Sequence, residues 1–325
     1  MADLLTSEMS LAGDPEESPQ VSIVLAVYNE EECLAEELQI VRRAMEASDY
    51  SYEVIVVDDG STDQTPQILR DFPWVKVVKH RRNRGAGAAR KTGTLAARGE
   101  IVVWSDVDLT YPNNRIPDLV RVLEEQAYDQ VVGARNAEKG TLPLLRVPAK
   151  FLIRRLACFL ANSEIPDLNS GLRAFRRDIA MRYIDLLPTG FSCVTTLTLA
   201  FLCNGYSVAY LPIQYSERAG KSKFHPIKDT YRYFLQVTRM VMCFEPLRVF
   251  LPLALFFVGA GIVSSLINVS TTGTVQEMDI IILLVGVLVG VVGLLADLIV
   301  LQARRLERLR ETQPQTDFER MDHDR

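Results

Sequence analysis

Ile101-Val102-Val103-Trp104-Ser105-Asp106-Val107-Asp108 runs from continuous apolar residues into two carboxylates one residue apart. A short apolar run without polar alternation reads as a strand buried on both faces, the kind that fills the middle of a parallel sheet. Asp106 and Asp108 fall where that strand gives way to a loop. Two carboxylates so placed can converge on one hard cation, and through it on a diphosphate. Alone, a D-x-D is weak, because acidic pairs at strand ends are common and mostly solvated. Context decides its meaning.

Working outward, residues 21–27, 52–57, 75–78 and 130–134 read as further strands. Residues 30–47 show helical apolar spacing at Leu34, Leu38, Val41 and Met45, and residues 62–72, 85–97 and 114–126 also read as helices. Strands alternating with helices predict an α/β fold with a mostly parallel sheet covered on both faces. Ligands of such sheets bind beyond the carboxyl ends of the strands, where one crevice can gather Asp58, Asp59, Asp106 and Asp108. Gly85-Ala86-Gly87-Ala88-Ala89-Arg90 approximates a dinucleotide fingerprint. It follows the third strand, however, and Arg90 replaces the last glycine, so a close-packed helix start is expected, with Arg84 and Arg90 available to phosphates.

The length of 325 residues allows about two domains, and 48% hydrophobic content allows a packed core. A net charge of −5 argues against nucleic acid as a partner. Five scattered cysteines without a C-x-x-C read as reduced thiols facing a cytosol, and three histidines with no close pair give no zinc site. Residues 1–20 hold five acidic residues and no Lys or Arg, the wrong charge for an export segment, and are expected to form a flexible tail.

Residues 249–269 carry no charge and residues 280–302 only Asp297. Each run is long enough to cross the ~30 Å hydrocarbon core, the alternative being two buried core helices. Arg239 and Arg248 precede the first run, Arg304, Arg305, Arg308 and Arg310 follow the second, and the connector has Glu277 and Asp279 but no basic residue. The positive-inside rule then makes an integral membrane protein with both termini and the α/β domain cytoplasmic. Asp297 is read either as an interfacial or bundle-paired residue or as a contact for a lipid headgroup or oligomer partner. Residues 142–160 and 224–250 mix basic and apolar residues, as helices at a membrane interface or on an ordinary core would. The expected organisation is a tail (1–20), a cytosolic domain (21–223), interfacial helices (224–247), a transmembrane hairpin (248–303) and a cytosolic tail (304–325).

The runs Val21 to Val24, Tyr28-Asn29-Glu30-Glu31, Val56-Val57-Asp58-Asp59-Gly60-Ser61-Thr62-Asp63, Asn83-Arg84-Gly85 and Asp106-Val107-Asp108 resemble glycosyltransferase family two with its GT-A fold. Asp167-Leu168-Asn169-Ser170-Gly171-Leu172-Arg173-Ala174-Phe175 and Arg218-Ala219-Gly220-Lys221-Ser222-Lys223-Phe224 are similar to motifs of its polyprenyl-phosphate glycosyltransferases, a group that includes dolichol-phosphate mannose synthases and bactoprenol glucosyltransferases. The resemblance covers about residues 21–310. It implies that Ala26, Tyr28, Glu30, Asp58 or Asp59, Arg84 and Gly85 meet the nucleotide. Asp106 and Asp108 would bind Mg²⁺ or Mn²⁺ on the diphosphate. Where many relatives place a glutamine as a further ligand this chain has Thr110, so Thr110 or a water fills that place. Arg135 would lie beside the metal and acceptor phosphate. Arg154 or Arg155, with Ser170 and Arg173, would grip that phosphate. Arg218 would neutralise the leaving diphosphate, assisted by Lys221 and Lys223.

Simpler readings stand beside these. Asp58 or Asp59 could cap the Gly-Ser turn, Ser170-Gly171 could be only a turn, Arg173 a solvated arginine, Asp167 an orienting partner for basic groups, and residues 218–223 a solvated charge run. The resemblance implies inverting transfer of a hexose from GDP-mannose or UDP-glucose to a polyprenyl phosphate, giving a β-linked product. An acceptor that is already anionic needs no strong general base. Q-x-x-R-W is absent, which favours single transfer over polymer synthesis. The rivals are another lipid or protein acceptor, a nucleotidyltransferase, and a non-catalytic membrane scaffold; a homo-oligomer is left open.

Overall fold

A computed structural model describes residues 18–135, 158, 164–190, 192–216, 242 and 246–312, with side chains in the last helix up to residue 302. Two compact units divide the chain, one built on a sheet and the other containing two long apolar helices.

The sheet unit runs β1 (Val21–Val27), α1 (Leu34–Glu46), β2 (Tyr52–Asp58), α2 (Thr65–Ile68), β3 (Lys76–Lys79), α3 (Ala86–Ala96), β4 (Ile101–Ser105), α4 (Ile116–Glu125), β5 (Gln130–Arg135), β6 (Arg173–Arg176) and α5 (Arg177–Arg182). α6 (Cys193–Cys203), whose second half belongs to the other unit, and β7 (Val208–Ile213) follow. The strand order is β3-β2-β1-β4-β6-β5-β7, parallel except for β6, which is antiparallel to both of its neighbours. β1, β2 and β4 are the buried runs that the sequence predicts, with β4 enclosed along its whole length. Val21, Ile23 and Leu25 of β1 pack with Leu34, Leu38 and Val41 of α1 and Leu119 and Leu123 of α4. α3 covers the other face, and Gly93 lets it approach so closely that a Cβ there would strike Val24. Burying both faces in this way is what makes strand pattern a poor guide to which face a residue takes.

Two elements depart from the expected boundaries. α1 begins at Leu34 because Asn29 turns to φ 54° and the Cys33 and Leu34 amides close back onto the Glu30 carbonyl. The second helix shortens to one α turn followed by a 3₁₀ turn, Leu69–Asp71.

The helical unit contains α7 (Leu247–Thr272) and α8 (Glu277–Thr312). Both are long and apolar enough to cross a membrane, and most of that apolar surface is exposed, Phe256 and Ile299 among it. Gly261 meets Leu283, Gly286 meets Val258 and Gly293 meets Phe250, so small residues set a close helix pair. At the connector, Asp279 accepts hydrogen bonds from Ser264 Oγ (2.5 Å), Asn268 Nδ2 (3.0 Å) and the Gln276 amide (3.0 Å).

Candidate active site

β1, β2 and β4 end together because their registers are aligned: Val27 lies beside Asp58, and Leu25 beside Ser105. Antiparallel β6 starts at this same edge, Arg173 lying beside both Trp104 and Val132. The 167–172 loop therefore comes next to the loop after β4, and Arg135 closes β5 nearby. One strand reversal thus brings two distant motifs together.

Asp106 is braced from beneath. Arg90 of α3 is 2% exposed, and its Nη2 donates to Asp106 Oδ1 at 2.5 Å. Its guanidinium lies over the Trp104 ring, 5.7 Å from the centroid. Burial works against the Arg90 cation, but the Asp106 charge outweighs it and raises the guanidinium above its ordinary pKa. Gly171 lies on the other side of the carboxylate: a Cβ there would stand 2.7 Å from Asp106 Oδ2 and 3.0 Å from Arg90 Nη2. The Gly171 amide donates to the Tyr111 hydroxyl at 2.8 Å. Burial first, then Asp106, raise the Tyr111 phenol, so it stays neutral.

Asp108 Oδ1 accepts from the Thr110 hydroxyl at 2.5 Å. Thr110 is buried and its hydroxyl donates its proton to Asp108, so it orients that carboxylate. Between them, Leu109 adopts φ 56°, a left-handed conformation costing a branched residue on the order of 1 kcal/mol or more. Its amide donates to Glu37 Oε2 at 3.1 Å. Glu37 Oε1 accepts from Asn113 Nδ2 at 2.6 Å, and the same amide group donates to the Asp106 carbonyl at 3.1 Å. Ser105 Oγ in turn donates to Asn113 Oδ1. Burial raises the Glu37 carboxyl against the pull of those hydrogen bonds, to about 7.

On the β1–β2 side, Asn29 Oδ1 accepts from the Thr62 amide, Ser61 Oγ from the Asn29 amide, and Glu31 from the Gln64 amide, stitching the two loops together. Ala26, Tyr28 and Glu30 lie on this rim, all partly buried. Asp58 Oδ1 accepts from the Ser61 amide at 2.8 Å, while its buried Oδ2 has no hydrogen-bond partner and stands 4.0 Å from Lys79 Nζ. Asp59 instead holds the next loop, accepting from the Arg84 and Gly85 amides and contacting His80 Nδ1 at 2.6 Å. Asp58 thus caps the Gly60–Ser61 turn with one oxygen and leaves the other unpaired, whereas both oxygens of Asp59, the better of the two for a nucleotide contact on the sequence, are spent on the 80–85 loop.

The helix start at Gly85 is close-packed, as expected, but Arg90 is not available to phosphates. The Thr189 carbonyl accepts from the Gly87 and Ala88 amides, and Arg90 is interior; only the Arg84 side chain is exposed. Arg173 is likewise corrected as a phosphate contact. It is 0% exposed, with Nη1 on the Val194 carbonyl and Nη2 on the Ser170 carbonyl, and burial followed by the Arg90 charge lowers it to about 10. Ser170 is enclosed beside it. Arg135 makes a fork on Asp167, Nε to Oδ2 at 2.7 Å and Nη2 to Oδ1 at 3.0 Å, and lies over the Tyr215 ring. Burial would raise the Asp167 carboxyl, but Arg135 takes it below its ordinary value. Arg154, Arg155, Arg218, Lys221 and Lys223 lie outside the described residues.

Sequence reasoning missed Tyr111, Asn113, His80 and Glu37, and gave Arg90 to phosphates where it holds Asp106. Only Glu37 carried a signal, a charge on the Leu34–Leu38–Val41 stripe. Among the described residues no cluster of three or more His, Cys, Asp or Glu forms a metal cage. Two oxygen-bearing carboxylates are still a fitting donor set for a hard cation whose other positions go to phosphate oxygens and water.

This sheet with acidic groups at its carboxyl edge is that of a nucleotide-sugar transferase. The chain belongs to glycosyl transferase family 2, whose family model matches residues 22–184, and a model of the GtrB C-terminal hairpin matches residues 245–300. It is 33% identical over 207 residues to a dolichyl-phosphate hexose transferase of Haloferax volcanii, covering 63% of this chain and 87% of that one. It is 32% identical over 252 residues to an undecaprenyl-phosphate 4-deoxy-4-formamido-L-arabinose transferase of Pseudomonas fluorescens, covering 74% and 70%. Among solved structures, glucosyl-3-phosphoglycerate synthase of Mycobacterium tuberculosis with Mn²⁺, UDP-glucose and phosphoglyceric acid has the same fold, with a TM-score of 0.52 at 21% identity over 69% of this chain and 80% of that one.

Proposed function

We propose that the protein transfers one sugar from a nucleotide-diphosphate sugar to a polyprenyl phosphate at a membrane surface. The observation that carries this reading is the braced D-x-D: Asp106 held on Arg90 and Asp108 on Thr110, at the carboxyl end of β4 in a family 2 chain that continues into a GtrB-type hairpin. The named relatives are a dolichyl-phosphate and an undecaprenyl-phosphate transferase, which supports the acceptor class; their sugars, a hexose and a formamido-arabinose, differ and do not choose the donor, for which GDP-mannose and UDP-glucose are the candidates that the sequence resemblance offers.

Asp58 Oδ2 and the β1 rim at Ala26, Tyr28 and Glu30 receive the nucleoside, with Arg84 and Gly85 on the adjoining loop. Asp106 and Asp108 would hold Mg²⁺ or Mn²⁺. That cation, when bound, offsets the charge that develops on the leaving diphosphate. Arg135, oriented by Asp167, faces the acceptor phosphate, joined by Arg154 or Arg155; Arg218, Lys221 and Lys223 complete the leaving-group side. The acceptor oxygen is already anionic, so positioning replaces a general base. His80 fits this economy, being committed to Asp59 and Thr92. Attack opposite the leaving group inverts the anomeric centre, giving a β-linked product from an α-linked donor.

The test is a panel of radiolabelled nucleotide sugars offered to purified protein with polyprenyl phosphate and Mn²⁺. Label should enter a mild-acid-labile lipid phosphate with release of nucleoside diphosphate. Release of pyrophosphate, or label in protein alone, would overturn the assignment.

A further inference from the structure

Glu37 stands where the apolar stripe of α1 meets the core, 1% exposed between Leu34 and Leu38. Helix electrostatics do not require it there: Glu36, in the same first turn, is exposed and serves the helix start as well. A carboxylate in such a place needs donors, and the two that reach it, the Leu109 amide and the Asn113 side-chain amide, belong to the segment that carries the D-x-D. Oε2 takes the Leu109 amide, which the left-handed φ turns inward. Oε1 takes Asn113, whose amide also holds the Asp106 carbonyl and the Ser105 hydroxyl. The loop is therefore tied at Ser105, Asp106 and Leu109 to one carboxylate–amide pair. Val107, midway, is pinned by the apolar core. Both carboxylates of the D-x-D hang from a backbone whose path these ties define.

We propose that Glu37, acting through Asn113 and the Leu109 amide, is a positioning residue for the cation site, setting the separation and aim of Asp106 and Asp108. This rests on the reading of those two residues as the divalent-ion ligands. Groups that orient metal ligands typically change metal affinity by about 10–100-fold when replaced. Glu37→Gln keeps the volume and one acceptor oxygen, but it turns an NH₂ toward one of the two donors.

The experiment titrates Mn²⁺ into the purified full chain with GDP and, separately, with UDP, following the free-ion paramagnetic signal. The same variants are assayed for transfer and melting temperature. Glu37→Gln should weaken Mn²⁺ binding about 10-fold and Glu37→Ala more, with the Mn²⁺ concentration for half-maximal transfer moving in parallel and the polyprenyl-phosphate KM staying within about twofold. If Glu37→Ala does not fold, Glu37→Gln carries the test. Folded variants with a lower melting temperature and wild-type Mn²⁺ affinity would reduce Glu37 to a structural residue and overturn the proposal. Wild-type protein that binds no Mn²⁺ with either nucleotide would instead overturn the cation site itself.

Discussion

Asp106 is confined on two sides by groups that leave it little freedom, Arg90 on one oxygen and the bare Cα of Gly171 against the other. A methyl at 171 would have to displace either the enclosed guanidinium or the partly exposed carboxylate, and moving the carboxylate outward breaks their ion pair. Gly171→Ala should therefore cost about 1–3 kcal/mol of stability and lower transfer by about 100-fold, because misplacing a reacting group by an ångström has that effect. Steady-state rates beside melting curves separate the two, and near-normal rates would show that Asp106 has room to spare. Glu37 gives a second residue-scale outcome. Its carboxyl rises from 4.5 to about 7 on folding, so the native state binds the extra proton between those values. Its contribution is complete below about pH 4.5, is lost as pH rises toward 7, and is level above that, a change of about 3 kcal/mol. Melts in EDTA from pH 5 to 7.5 should show that slope in the wild type and lose it in Glu37→Gln. These site features were only half legible in the sequence. Asp58, Asp106 and Asp108 announce themselves by standing at strand ends, where the chemistry is local. Arg90, Tyr111 and Gly171 are brought together by the β4–β6 pairing, and nothing in their own neighbourhoods shows it.

Elements whose identity rests on composition were the most readable. β1, β2 and β4 are continuous apolar runs, and the hairpin helices are long apolar runs. β6 escaped because Arg173-Ala174-Phe175-Arg176 is four residues with a charge at each end, and β7 because Pro212 interrupts its apolar run; their pairing partners, rather than their residues, make them strands. α1 was read four residues too early, since the left-handed Asn29 is a turn feature invisible to periodicity. In the hairpin, Asp279 joins two helices at once: it is the third residue of α8, returning a hydrogen bond to the Gln276 amide as in a capping box, and it receives Ser264 and Asn268 from α7. Polar contacts between membrane helices contribute roughly 0.6–2 kcal/mol each, so Asp279→Ala should destabilise the hairpin by about 1–3 kcal/mol. A lower melting temperature in detergent, with transfer per folded molecule unchanged, is the expected pattern; an unchanged melting temperature would mean that glycine-mediated packing alone sets the register.

At the scale of the whole molecule, two solvents must be served by one chain. A nucleotide sugar is water-soluble and a polyprenyl phosphate is not, so a sheet unit with a polar crevice and a helical unit with exposed apolar faces divide the labour that neither could perform alone. For this arrangement to work the crevice must face the compartment that holds the donor. The charge distribution argues for the cytoplasm: arginines follow α8's apolar stretch at 304, 305, 308 and 310, while the only charged residues of the connector are acidic, Glu277 and Asp279. The connector is where orientation can be read. Thr274→Cys, in the short link between α7 and α8, should react with a membrane-impermeant maleimide added to intact cells. The five natural cysteines should stay unlabelled until the membrane is opened, Cys33 and Cys193 remaining slow even then because they are buried. The reverse pattern would put the D-x-D on the side away from cytosolic nucleotide sugars. On the expectation that both ends of the hairpin emerge on one side, a single labelled position reports the orientation of the sheet unit as well.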